Sequence, residues 1–287
     1  MILNGKLMAD TICTNLKTRV DRIKESGVRP ELIIVTSGDN DAGAVYVRNK
    51  VRRCEELGIT VSVKHIQQIE AEDVGCFCSE QKPIIFQMPI TGLISQDELR
   101  KFFTNPMCDV DGFVADFNVA ALASGGKPCH YPCTPKGIVR LLDLYGIKLD
   151  GAKVCVIGRS NIVGRPLARM LEQRNATVTV CHRQTDKSYK QSVAQCADII
   201  ISAAGERNVV TAKMFSGLEK TACSIDKKIL IDVGMNRDES GKLCGDFPSE
   251  LYDMCKAYTP VPGGIGPMTV AMLMENVVEF YEKEGAL

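Results

Sequence analysis

The chain has 287 residues, enough for two modest domains, and its 35 Lys and Arg balance 35 Asp and Glu. Hydrophobic residues make up 45% of it, the composition of an ordinary globular protein, and nothing in the balance points to nucleic acid or a membrane surface as partner. The longest apolar runs, "PIIFQMPI" and "DIIISAAG", are too short to span a bilayer, and "MILNGKLMADTI" lacks the basic and apolar regions of a signal peptide, so a cytoplasmic location is expected.

In chain order, residues 7 to 26 read as a helix and "ELIIVTSG" (31 to 38) as a buried strand. A helix follows from about Ala44 to Leu57, closed by Gly58, then a strand from Thr60 to Ile66. "PIIFQMPI" is a third strand, and "SQDELRKFF" a helix capped by Ser95. In "PCTPKGIVRLLDLYGI", Thr134 suits the N-cap, Pro135 the first helical position and Gly146 the helix end. A second alternating series then reads strand 153–157, helix 162–174, strand 177–181, helix 187–196, strand 198–202 and strand 228–233. A long helix runs from Met268 to about Lys283. Strand alternating with helix predicts an α/β fold with parallel sheets, divided near residue 135. The thirteen cysteines form no C-x-x-C pair and His is scarce, so they read as small hydrophobes kept reduced, and no metal site is expected.

The stretch "KVCVIGRSNIVGRP" has the form of a dinucleotide turn between a strand and a helix. Gly158, Ser160 and Gly164 occupy the G-x-G-x-x-x-G spacing, with serine as the middle glycine. Serine is small, caps helices and offers phosphate a hydroxyl, so a cofactor site survives the exchange. An NAD site wants an acid at the end of the next strand. Here that strand ends "VTVCHRQT", with His182 and Arg183 and no acid before Asp186, and Arg159 adds a cation beside the turn. Cations suit a ribose 2′-phosphate, so NADP is the expected cofactor.

On the helix "AVYVRNKVRRCEEL", Val47, Val51, Cys54 and Leu57 make an apolar stripe, and Tyr46, Lys50 and Arg53 the stripe beside it. Tyr46 and Lys50, four residues apart, can enter a cleft together. Y-x-x-x-K also marks short-chain dehydrogenases, but there the pair follows the nucleotide turn, whereas here it precedes it by more than a hundred residues.

Several stretches, in order along the whole chain, resemble the methylenetetrahydrofolate dehydrogenase/cyclohydrolase family: "YVRNKVRRCEELGI", "IIFQMPI", "DVDGF", "PCTPKGIVRLL", "VIGRSNIVGRPLARML", "ATVTVCHRQT" and "YTPVPGGIGPMTVAMLMEN". The resemblance implies a folate-binding domain (1–135 completed by 268–287) and a Rossmann-type NADP domain (136–267), with a cleft between them, and a homodimer. It implies that Lys50 is the catalytic lysine, Tyr46 the aromatic against the substrate, Gln87 the lysine's support and Asp111 the acid that binds the pterin. Pro262, Gly263 and Gly264 fall in a Gly/Pro run that lets backbone lie close to a planar ligand. Thr134, Ile162 and Val163 join Gly158, Arg159, Ser160, Gly164, His182 and Arg183 at the cofactor.

The implied activities are oxidation of 5,10-methylenetetrahydrofolate with NADP and hydrolysis of the methenyl product to 10-formyltetrahydrofolate. A dehydrogenase with weakened hydrolysis is the alternative. It arises because Gly43, Cys108 and the pair Ala120 and Ala121 stand where the family commonly has serine, lysine and Gly-Arg. Arg183 replaces a phosphate-binding serine, which should strengthen the preference for NADP.

Overall fold

The computed structural model describes residues 1–38, 41–92 and 96–283, so the expected cap Ser95 lies outside the described residues. By compactness the chain forms two units. One comprises Asp10–Cys133 with Val270–Leu287, and the other Met1–Ala9 with Thr134–Thr269. The first nine residues therefore go with the later unit, contrary to the sequence reading. There Ile2 bridges to Tyr258, and the Leu3 N–H donates to the Tyr258 carbonyl at 2.7 Å.

In the earlier unit α1 (Gly5–Glu25) leads to β1 (Glu31–Ser37), α2 (Asp41–Leu57), β2 (Thr60–Ile66), α3 (Ala71–Ser79), β3 (Ile84–Phe86), α4 (Gln96–Leu99) and α5 (Asp116–Ala123). The strands form a parallel sheet in the order β2-β1-β3. Leu32 to Val35 and Ile84 to Phe86 are fully buried, as the β-branched and aromatic composition of a two-sided central sheet demands. The third strand is shorter than expected, because pairing with β1 ends at Phe86 and the chain turns away after the Gln87 N–H donates to the Val35 carbonyl.

The later unit begins with α6 (Cys133–Leu144), then β4 (Lys153–Ile157), α7 (Gly164–Glu172), β5 (Thr177–Cys181), α8 (Lys187–Cys196), β6 (Ile199–Ser202) and β7 (Ile229–Asp232). A short hairpin of β8 (Asn236–Arg237) and β9 (Leu243–Cys244), α9 (Ser249–Met254) and β10 (Ala257–Tyr258) follow; the last helix, α10 (Ile265–Lys283), starts here but from Val270 on belongs to the earlier unit. The later unit's parallel sheet has the order β10-β7-β6-β4-β5. The order reverses at β4, which has β5 on one side and β6 on the other, so a crevice opens beyond the carboxyl end of β4. Gly146 ends α6 as expected, with φ +65° and its N–H bonded to the Asp143 carbonyl. Thr134 is not the cap: α6 starts one residue earlier, and the Thr134 hydroxyl meets that of Thr269 at 3.0 Å.

Candidate active site

On α2 the buried face differs from the predicted stripe. Val47 and Val51 are only half-buried, whereas Lys50 is 7% exposed and lies on the same face as Cys54 and Leu57. A buried ammonium needs acceptors, and among the described residues Gln87 Oε1 is one, 2.9 Å from Lys50 Nζ. Gln87 cannot turn its amide over, because Nε2 donates to the Met88 carbonyl at 3.1 Å. The end of β3 therefore presents an oxygen to the lysine. Tyr46, one helical turn earlier, is half-buried and its phenol has no hydrogen-bond partner among the described residues; desolvation holds it protonated above the ordinary tyrosine range.

Gln87 also lines a cleft of about 530 Å³ at the carboxyl edge of this sheet, with Thr36, Ser37, Gly43, Val47, Met88 and Pro89 among its walls. That volume suits a small organic molecule. Asp111 lies in the same unit, on the loop after Asp109, and is 8% exposed. Its carboxylate has no hydrogen-bond partner among the described residues, yet its oxygens stay open to solvent. Cys108 lies buried in a 3-10 turn, its thiol facing Gln81 Oε1, so no cation stands before Asp109.

In the later unit the nucleotide turn has the predicted form. Gly158 follows β4 with φ +121°, and a side chain there would strike the Ala203 carbonyl. A Cβ on Gly164 would overlap the Gly158 carbonyl, so α7 starts directly against the turn. The Ser160 hydroxyl accepts the Val163 N–H at 3.1 Å. Serine thus holds the turn itself, with Ile162 and Val163 half-buried behind it.

Beyond β5, Asp186 caps α8 by accepting the Ser188 and Tyr189 N–H groups, and the Ser188 hydroxyl holds its carboxyl below the usual carboxylate range. It is engaged at the helix end rather than offered to a ribose. Arg183 is exposed with no partner among the described residues, Arg159 reaches Gln184, and His182 Nδ1 is buried without a partner. An orphaned ring nitrogen, a free guanidinium and a turn that admits no side chain fit a phosphorylated dinucleotide. At the last predicted segment, Gly264 is crowded by this unit's own backbone: a side chain would meet the Pro260 carbonyl at 2.5 Å.

Two groups went unread in the sequence. Asp232, the last residue of β7, and Asp246, just after β9, are buried; Asp246 accepts the Ser202 hydroxyl and the Ala204 N–H, and its own N–H donates to Asp232. Burial raises the Asp232 carboxyl above its ordinary range. Asp109 is the other, and its only signal was a second acid in "DVDG".

Comparison with known proteins agrees with this geometry. The catalytic-domain model of the tetrahydrofolate dehydrogenase/cyclohydrolases matches residues 3–111, and their NAD(P)-binding-domain model matches residues 132–285. A protein of Nitrosomonas europaea described as a bifunctional FolD protein is 40% identical, over 100% of this chain and 95% of its own. The crystal structure of the bifunctional dehydrogenase/cyclohydrolase of Campylobacter jejuni superposes with a TM-score of 0.90 at 36% identity, covering 99% of each chain. A Trypanosoma brucei dehydrogenase-cyclohydrolase, complexed with NADP and an inhibitor, has a TM-score of 0.87 at 27% identity. With both family models matched and a buried lysine–glutamine pair on the catalytic half, the chain belongs to the tetrahydrofolate dehydrogenase/cyclohydrolase family of bifunctional enzymes.

Proposed function

We propose that the protein oxidises 5,10-methylenetetrahydrofolate to the 5,10-methenyl cation with NADP and hydrolyses that cation to 10-formyltetrahydrofolate. The observation that carries the reading is the buried Lys50 held by Gln87, a residue that itself lines a cleft of substrate size. NADP, held by the Gly158–Gly164 turn with Arg183 and His182, supplies the hydride acceptor.

The methenyl cation is delocalised over two nitrogens and a carbon, so its formation needs positioning more than a strong base. Tyr46 offers a ring face for that positioning. Hydrolysis adds water to the carbon and releases one proton, and Lys50 Nζ is the group placed to carry it. One of its N–H bonds is occupied by Gln87 Oε1, which aims the rest. The Asp111 carboxylate can accept paired donors from a pterin amino group and ring N–H. An NADP preference rests on Arg183 and on the engagement of Asp186 at α8. Cytoplasmic residence is supported by thirteen free cysteines and by the absence, among the described residues, of a helix able to cross a membrane. A homodimer is supported by β2, an edge strand with Val63 46% exposed.

The decisive assay follows reduction of NADP and of NAD by methylenetetrahydrofolate in parallel, then decay of added methenyltetrahydrofolate. Faster turnover with NADP and accelerated decay are expected. Decay no faster than in buffer would leave a dehydrogenase alone, as the altered Gly43, Cys108 and Ala120–Ala121 positions would then explain.

A further inference from the structure

We propose that Asp109 is a positioning residue for folate recognition: its buried carboxylate is the template on which the loop presenting Asp111 is folded. This rests on the reading that Asp111 binds the pterin.

Asp109 is 1% exposed and belongs by its backbone to the sheet, bridging in parallel to Ile84 of β3. Its Oδ1 accepts the Gly112 N–H at 3.0 Å, and its Oδ2 accepts those of Val114 at 2.9 Å and Ala115 at 2.8 Å. Asn118 Nδ2 adds a longer contact to Oδ2 at 3.3 Å, while also donating to the Pro106 carbonyl. The chain from 110 to 115 thus curls round a single anion and runs directly into α5. Gly112 makes the curl possible with φ +76°, in a position where a Cβ would meet the carbonyls of His130 and Tyr131 at 2.7 Å.

The residues flanking Asp111 are fixed from outside as well. The Val110 carbonyl accepts from Asn276 Nδ2 at 2.8 Å, and the Asp111 carbonyl accepts the Cys133 N–H at 3.2 Å. What remains without a partner among the described residues is the Asp111 carboxylate. The arrangement spends one carboxylate on backbone so that a second, two residues on, stays open.

Burial pushes the Asp109 carboxyl up to about 6 although its donors pull it down, and the neighbouring charge of Asp111 pushes the same way. Two acids so close, one wholly enclosed, are costly; the cost is intelligible where geometry at the open acid decides binding. A neutral side chain cannot substitute, since three backbone donors converge on both oxygens and an amide has one acceptor oxygen.

The test is a double-mutant cycle on the full-length enzyme, with methylenetetrahydrofolate and NADP varied separately. Asp109→Asn is expected to raise the KM for the folate about tenfold, as loss of about 1.4 kcal/mol of alignment does, while kcat and the KM for NADP change less than about twofold. Asp111→Asn alone should raise the folate KM at least as much, and Asp109→Asn added to it should raise it no further. A lowered Tm with an unchanged folate KM would reduce Asp109 to scaffold and overturn the proposal, as would multiplicative effects in the double variant. An unchanged KM in Asp111→Asn would instead remove the pterin reading on which the proposal stands. If Asp109→Asn does not fold, Asn118→Asp, which replaces the one amide donor to the same carboxylate and keeps an oxygen for the Cys129 and His130 N–H groups, is read by the same criteria.

Discussion

At the scale of single residues the site depends on where an amine is placed. Lys50 was legible as a candidate from its spacing to Tyr46, but the sequence pattern assigned the core to the neighbouring valines. A stripe rule sorts residues by polarity, and it misplaces a lysine whose charge is met by a specific acceptor, here Gln87 Oε1 from a strand 37 positions away. Lys50→Met keeps the volume and removes the proton carrier, so hydrolysis of methenyltetrahydrofolate should fall by a factor of about 10² to 10⁴ while NADP binding, followed by fluorescence titration, persists. Equal hydrolysis in variant and parent would take the lysine out of the mechanism. Beyond β5, Arg183 is exposed with no partner among the described residues. Arg183→Ser should raise the KM for NADP roughly tenfold or more, through the loss of a charge-assisted phosphate contact, and leave that for NAD nearly unchanged. A parallel rise in both would mean that it does not read the 2′-phosphate.

At the scale of elements, the best-read segments were those whose apolar runs are bounded by clear turn residues. Strands β2, β4 and β5 and helix α8 occupy the residues predicted. Helices α3, α5 and α9 and the hairpin of β8 and β9 were unread, because each is short and amphipathic periodicity needs more turns to declare itself. Helix α5 illustrates this: "DFNVAALA" carries no polar face, and it starts where it does because the Asp109 carboxylate gathers the N–H groups of Val114 and Ala115 just before it. The β4–α7 turn was legible for the opposite reason, since a missing side chain is written in the sequence as glycine. Gly164→Ala forces a methyl into the Gly158 carbonyl and must push α7 off the turn. We expect a loss of more than about 2 kcal/mol in urea unfolding together with weaker NADP binding. Parent-like binding of NADP would show that the close approach does not shape the cofactor site.

At the scale of the whole molecule, the chain returns at its end to complete the unit it began. Within that unit, α10 supplies Met274 against Cys54 at 3.3 Å, Asn276 to the Val110 and Tyr131 carbonyls, Tyr281 to both backbone groups of Glu31, and Glu282 to Arg19. A chain ended at residue 267 forfeits these contacts and several buried side chains worth about 1.5–3 kcal/mol each, against a typical domain stability of about 5–15 kcal/mol. It should lose cooperative unfolding of the sheet containing β1, measured by near-ultraviolet circular dichroism; an unchanged transition would show that this unit stands without α10. The sequence by itself determined the alternation of strands and helices and the nucleotide turn, and it named Lys50, Gln87 and Asp111 as candidates, because these follow from local periodicity, glycine placement and family motifs. Only the tertiary structure decided that Lys50 is enclosed, that the Asp109 carboxylate gathers the backbone around Asp111 and that Met1 to Leu3 pair with Tyr258. Each of these is a hydrogen bond between residues distant in the chain or a curl set by one buried charge, and neither leaves a period in the sequence.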